Sequence, residues 1–197
     1  MKKIFITLTL TAFFAVIGFS QVVVKPAIGM NFTSFTTDPL TYEHTGRLGY
    51  QLGGTVAIGD EFYFEPGVYW VRNNYQLKNK NATLDADEKF KNDISSIKIP
   101  LYVGMNIVGG ATDDRNFHIF AGPDISYVTS VNNDDVNLTK EDFTKYMWGV
   151  NIGAGLSINK LFVDVGYQWG LNTIFVDDDK TKIKGLWINA GFRLKFL

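Results

Sequence analysis

The chain has 197 residues, with 19 lysines and arginines against 20 aspartates and glutamates, no cysteine and 15% aromatics. Its mean hydropathy of zero is that of neither a disordered chain nor a helical membrane protein. Without cysteine there is no disulfide scaffold, thiolate zinc site, lipidated N-terminal cysteine or cysteine nucleophile, and the balanced charge gives nucleic-acid binding no support.

In chain order, Lys2 and Lys3 come first, then an apolar run from Ile4 to Phe19, with the small residues Gly18 and Ser20 at its end. This is the layout of a secretory signal, too short for a stop-transfer helix. Residues 1–20 are expected to be a cleaved signal peptide and residues 21–197 the mature domain. Loss of Lys2 and Lys3 leaves 17 basic against 20 acidic residues, a net charge of about −3.

Past residue 20 the apolar residues recur at period two, the spacing of strands. Eight segments carry the pattern: 24–32, 48–58, 62–70, 97–107, 117–127, 146–158, 161–171 and 186–196. One parity of each is apolar and uncharged, as in Ile97, Ile99, Leu101 and Val103. The other parity is polar and rich in glycine, and holds Lys25, Arg47, Glu65, Lys98, Asp124, Asp164 and Arg193.

Alternation alone does not say which face points inward, since a soluble sandwich alternates too. Composition does. A water-facing surface is dense in Lys, Glu and Thr, whereas this polar face is small, sparsely charged and mixed in sign. It suits a narrow lumen, where tiny residues make room for a few long polar ones. The apolar face is too large and too aromatic for the inside of so short a chain, so lipid is the better solvent for it.

The links agree. Those near Gly59-Asp60, at Gly109 to Asp114 and at Asn159-Lys160 are short; Thr33 to His44, Asn73 to Asn92, Ser130 to Lys145 and Asn172 to Lys182 are long and polar. Short and long alternate, as in a barrel with tight periplasmic turns and long outer loops. The fold class is therefore all-β: an eight-stranded antiparallel up-and-down transmembrane β-barrel with strands of roughly 9 to 15 residues, each long enough to cross when tilted. Trp70, Tyr127, Tyr146, Trp148 and Trp169 fall next to the long loops, where amphipathic rings gather at a membrane-water boundary. Trp187 has lumen parity and does not belong to that set.

The segments Phe64-Glu65-Pro66-Gly67-Val68-Tyr69, Ile97-Lys98-Ile99-Pro100-Leu101-Tyr102, Phe120-Ala121-Gly122-Pro123-Asp124-Ile125-Ser126-Tyr127, Asn151-Ile152-Gly153-Ala154-Gly155 and Asp164-Val165-Gly166-Tyr167-Gln168-Trp169-Gly170-Leu171 resemble, in order and kind, the PorT-like outer-membrane β-barrels of Bacteroidota. The resemblance spans nearly the whole mature chain. It implies a barrel in a Gram-negative outer membrane and fixes no role.

Opposite charges in a closed narrow lumen are expected to pair with one another and with Asn and Gln, giving a plug rather than an ion path. The histidines are His44 and His118. His118 and Asp124, six residues apart on one strand, are about 20 Å distant and cannot bond. His44 lies in the first long loop with Ser34, Tyr42 and Glu43. The runs Asp134-Asp135 and Asp177-Asp178-Asp179 lack the spacing of a calcium loop, and Gly153-Ala154-Gly155 lies within a strand, so it is no phosphate loop.

The reading is thus a non-enzymatic integral outer-membrane barrel with no catalytic, metal or cofactor residues. Its long outer loops meet a ligand, lipopolysaccharide or an envelope protein partner, and outer-membrane lipid surrounds it. Two alternatives stand beside it: an outer-membrane lipid-modifying enzyme using His44, and a soluble periplasmic lipocalin-like carrier. On the favoured reading a charge at Val150 or Val165, facing lipid, costs more than Asn151→Asp across the wall.

Overall fold

The computed structural model describes residues 21–35, 42–46, 48–79, 89–133, 144–173 and 181–196. They form ten strand segments: β1 (Val22–Phe35), β2 (Tyr42–Gly46), β3 (Leu48–Gly59), β4 (Phe62–Asn79), β5 (Lys89–Val108), β6 (Arg115–Asn133), β7 (Tyr146–Ile158), β8 (Leu161–Thr173), β9 (Lys182–Phe192) and β10 (Leu194–Phe196). Both β2 and β3 pair with β4, and both β9 and β10 pair with β1, so the ten segments make eight antiparallel crossings.

Each crossing pairs with its sequence neighbours, and the last returns to the first: Val22 opposes Phe196, Ile28 opposes Ala190 and Phe35 opposes Ile183. The result is a closed up-and-down barrel. Among the described residues closure leaves no open edge around the body of the barrel, so backbone donors and acceptors there are satisfied even where water is absent. Extensions toward the long loops, such as β2, are paired on one side.

The period-two pattern becomes inside and outside. Ile28 at 66%, Leu52 at 58% and Val103 at 62% are exposed on the outer wall, whereas Lys25 at 4% and Asp124 at 2% are buried within. A water-soluble protein has the opposite arrangement. An apolar outer wall of this extent is stable only in a non-aqueous surrounding.

Several crossings are longer than the sequence pattern predicts, whereas β7 (Tyr146–Ile158) has the expected bounds. β5 spans 20 residues and β6 spans 19. Much of the stretch read as loop between Asn73 and Asn92 is a two-stranded extension, in which Leu77 opposes Phe90. Likewise β1 continues to Phe35, and β2 occupies Tyr42–Gly46. A backbone ladder continues wherever two chains run antiparallel, whether or not one face stays apolar, so polarity alone marks strand ends too early.

The short links close tightly. Gly59 (φ 134°) and Gly109 (φ 73°) sit at two of them in conformations that side chains resist, and Asn159 (φ 54°) turns the third in the left-handed region that asparagine tolerates.

Glycine on the inner face has a specific use. Bulky lumen side chains lie across a glycine directly opposite on the neighbouring strand: Tyr63 over Gly104, Tyr69 over Gly53, Phe120 over Gly153 and Trp187 over Gly166. A Cβ at Gly104, Gly153 or Gly166 would enter the ring, and one at Gly53 would meet the Val68 carbonyl before the Tyr69 ring. The narrow interior is filled by pairing the largest residues with the smallest.

Candidate functional site

Two charged networks lie in the lumen. In the half nearer the short turns, Lys25 of β1 reaches Glu65 of β4 at 3.0 Å and Asp164 of β8 at 2.8 Å. Its Nζ also stands 4.6 Å from the centre of the Phe162 ring. Thr55 donates to Glu65. Asp164 holds a second partner in His118, whose Nε2 lies 3.0 Å from Oδ1. The other ring nitrogen of His118 is 2.7 Å from Oδ1 of Asn116.

Nearer the long loops, Asp124 accepts from Asn151 Nδ2 at 2.8 Å and from Gln168 Nε2 at 3.0 Å. Lys98 donates to Gln168 Oε1 at 2.9 Å and stands 3.5 Å from Asp124. Trp187 Nε1 donates to Asn151 Oδ1 at 3.0 Å, and Gln51 Nε2 to Asn189 Oδ1 at 2.5 Å. Each charge thus meets an opposite charge or an oriented amide, the condition for holding ions away from water.

Between the networks lies an aromatic layer. Tyr102, Phe120 and Trp187 stack with ring centroids 5.1 to 6.3 Å apart. One cavity opens at each end of the barrel, and neither is lined by Tyr102 or Phe120.

The link at 109–114 folds across the short-turn end. Arg193, 4% exposed, interrupts the last crossing between β9 and β10 and donates to Ala111 O and to Asp113 O. Asn116 donates to Gly110 O at 3.1 Å, and Ala111 N to Asp60 Oδ1 at 2.9 Å. The arrangement is a stopper held by side chains from the last crossing, from β6 and from the β3–β4 link.

A family model for the outer membrane protein β-barrel domain matches residues 18–176. The chain belongs to that family. Its fold is similar to that of OprG from Pseudomonas aeruginosa, at 15% identity and a TM-score of 0.59, over 90% of this chain and 96% of that one. It is also similar to the neisserial surface protein NspA, at 14% identity and a TM-score of 0.53, over 89% and 97% of the two chains. Among curated proteins, none matches this sequence. The molecule is an integral outer-membrane barrel.

In this outer-membrane barrel, Lys25, Glu65, Asp164 and, separately, Lys98 and Asp124 are brought together, and Arg193 stands apart from both groups at the stopper. Arg47 lies outside the described residues. Trp70, Tyr127, Tyr146, Trp148 and Trp169 are on the outer wall with 38% to 54% exposure. Tyr127 and Tyr146 are cross-strand partners with ring centroids 5.4 Å apart. The backbone of His44 belongs to β2, and its side chain lies outside the described residues, as do the two aspartate runs.

Sequence reasoning missed two things. His118 was tested against Asp124 on its own strand, whereas its partner, Asp164, comes from β8 two crossings away. The aromatic layer was missed because Tyr63, Tyr102, Phe120 and Trp187 scatter over four crossings of the polar parity. The available signal was the directly opposed glycine, which requires the register.

Proposed function

We propose that this barrel is a non-conducting, non-enzymatic outer-membrane scaffold whose long-loop end faces outward and meets lipopolysaccharide or an envelope protein partner. One observation carries the reading: paired charges and a stacked aromatic layer occupy the lumen, while the outer wall is apolar. An eight-stranded barrel has room for side chains and little else, and this one spends that room on fixed pairs.

Its outer rim supports the lipopolysaccharide reading. Arg72 stands two positions beyond Trp70 on the lipid-facing parity of β4, and Lys184 lies opposite Trp169. Cations just beyond an indole belt are at the depth of lipid phosphates. Asp93 bonds Arg72 at 2.5 Å, and this hydrogen bond and the carboxylate's charge raise the guanidinium above its ordinary pKa.

On this reading residues 1–20 are a cleaved signal peptide. The resemblance to PorT-like barrels supports a Bacteroidota envelope as the setting, without a secretion role. Four measurements test the proposal. The protein should need detergent for extraction and stay behind on osmotic shock, which a soluble carrier would not. Reconstituted in planar bilayers, it should give no stable ion steps. Lipopolysaccharide should bind more weakly to Arg72→Ala/Lys184→Ala than to the parent. His44→Ala should leave the lipid A pattern unchanged.

A further inference from the structure

Two grooves interrupt the lipid-facing wall toward the short turns, and they are built alike. The first, of about 460 Å³, has Ala190 between its cross-strand partners Val163 and Ile28. The second, of about 400 Å³, has Ala121 between Val103 and Ile152. In each, one small side chain in a row of large aliphatic ones leaves a trough. The described lining of both is wholly apolar.

They also end alike, at a turn residue pinned by the same kind of backbone bond. Leu161 and Phe192 oppose each other at the end of the first groove. Lys160 immediately precedes Leu161, and its carbonyl accepts from Arg193 N at 2.6 Å. Phe62 and Met105 oppose each other at the end of the second. Glu61 immediately precedes Phe62, and its carbonyl accepts from Asn106 N at 2.8 Å. Lys160 and Glu61 are both exposed, and they differ in sign. At the first corner Asp114, whose carbonyl accepts from Asn159 N, has its carboxylate met by Lys195 Nζ at 3.2 Å. The charge of Lys160 is left over. At the second corner Glu61 follows Asp60, a further exposed acid.

That contrast selects a ligand. At about 30 Å³ for each water-sized group, the first groove takes about fifteen groups of methylene size, the bulk of one acyl chain. A trough surrounds a chain with more contacts than a flat wall does. A lysine at its end lays its stem on apolar surface and carries its ammonium to the depth of lipid phosphates, where a glutamate would repel them.

We propose that the first groove binds a phospholipid of net negative charge, with one acyl chain over Ala190 and the phosphate at Lys160, and that the second groove has no such preference. This rests on the orientation proposed above in one respect: short turns facing the periplasm put the groove in the phospholipid leaflet rather than among lipopolysaccharide. Selectivity in vesicles of set composition tests the groove whichever way the barrel points. Labelling of Lys160→Cys on intact cells, in a chain with no cysteine of its own, tests the orientation alone.

The experiment uses the mature barrel folded into phosphatidylcholine vesicles with a rising fraction of phosphatidylglycerol, one lipid or the other brominated in its acyl chains. Phe192→Trp and Phe62→Trp place a reporter at the end of each groove, read as the difference from the parent's emission. A brominated chain quenches an indole that it touches. At Phe192→Trp, phosphatidylglycerol should be preferred about fivefold, the value of one lysine at an anionic surface, and should saturate at a low fraction. At Phe62→Trp, phosphatidylglycerol should have no advantage. Lys160→Glu should abolish the preference at the first reporter, and Glu61→Lys should create one at the second. Ala190→Phe, which fills the trough and keeps the charge, should also reduce it.

Folding of each variant is read from heat-modifiable migration on gels, and Lys160→Met removes the charge if Lys160→Glu does not fold. Equal quenching of Phe192→Trp by the two lipids would overturn the proposal. So would an equal preference at both reporters, the mark of general surface attraction, or a preference that survives loss of the Lys160 charge. Displacement of phosphatidylglycerol by lipopolysaccharide at an equal fraction would overturn the assignment to phospholipid.

Discussion

Lys25 and Asp164 meet at 2.8 Å across the lumen, although 139 positions separate them in sequence. β1 and β8 are not hydrogen-bonded neighbours but flank β9, so this pair spans one intervening crossing through the interior rather than along the sheet. Both groups are buried, and Glu65 shares the ammonium at 3.0 Å.

Removing the ammonium alone should therefore be severe. Lys25→Met leaves two carboxylates facing each other out of water, a loss of about 3 to 5 kcal/mol. The triple change Lys25→Met/Glu65→Gln/Asp164→Asn should recover most of it, since no charge is then left unpaired. Reversible urea unfolding in lipid vesicles measures both, and equal losses would show that the ion pairs do not set the cost.

Lipid-facing positions give a second test. Val150 and Val165 are 38% and 39% exposed on the outer wall. Arginine at either should cost about 2 to 4 kcal/mol near mid-membrane. By parity alone Asn151→Asp is the cheaper change. The structure reverses that ordering: Asn151 is fully buried and donates to Asp124 at 2.8 Å, so an aspartate there would set two carboxylates against each other. Unfolding midpoints should place Asn151→Asp at or beyond the cost of Val165→Arg.

The stopper depends on Arg193. Arg193→Met removes donors from the carbonyls of Ala111 and Asp113. Faster amide hydrogen exchange is expected across 110–114, with the central strands unchanged, because opening a link leaves the ladders intact. Unaltered exchange there would mean that Asn116 and Asp60 hold the link by themselves.

The aromatic layer depends on its glycine seats. Gly166→Ala brings a methyl into the Trp187 ring. Overpacking of this kind costs about 1 to 3 kcal/mol. Trp187 fluorescence should shift as the indole loses its bond to Asn151, an effect that an alanine on the lipid face, such as Val163→Ala, should not produce.

The fold was open to reading because a barrel wall separates two solvents at every residue. Ile97 through Val103 alternates with Lys98 and Tyr102 whatever the neighbouring strands do, and the tight links at Gly59, Gly109 and Asn159 carry residues suited to their turns. Strand ends at the short links were readable, and several of those toward the long loops were not. The ladder from Asn73 to Lys78 against Lys89 to Ile94 is set by pairing between strands, not by polarity.

By itself, the sequence determined which side chains face lipid and which face the lumen, since alternation and composition are local properties of each strand. Only the tertiary structure decided partners: Lys25 with Asp164, His118 with Asp164, Trp187 over Gly166 and Arg193 under the stopper. Contacts across an interior depend on the register and closure of the whole sheet, and a one-residue slip in any crossing would exchange its two faces and dissolve every such pair.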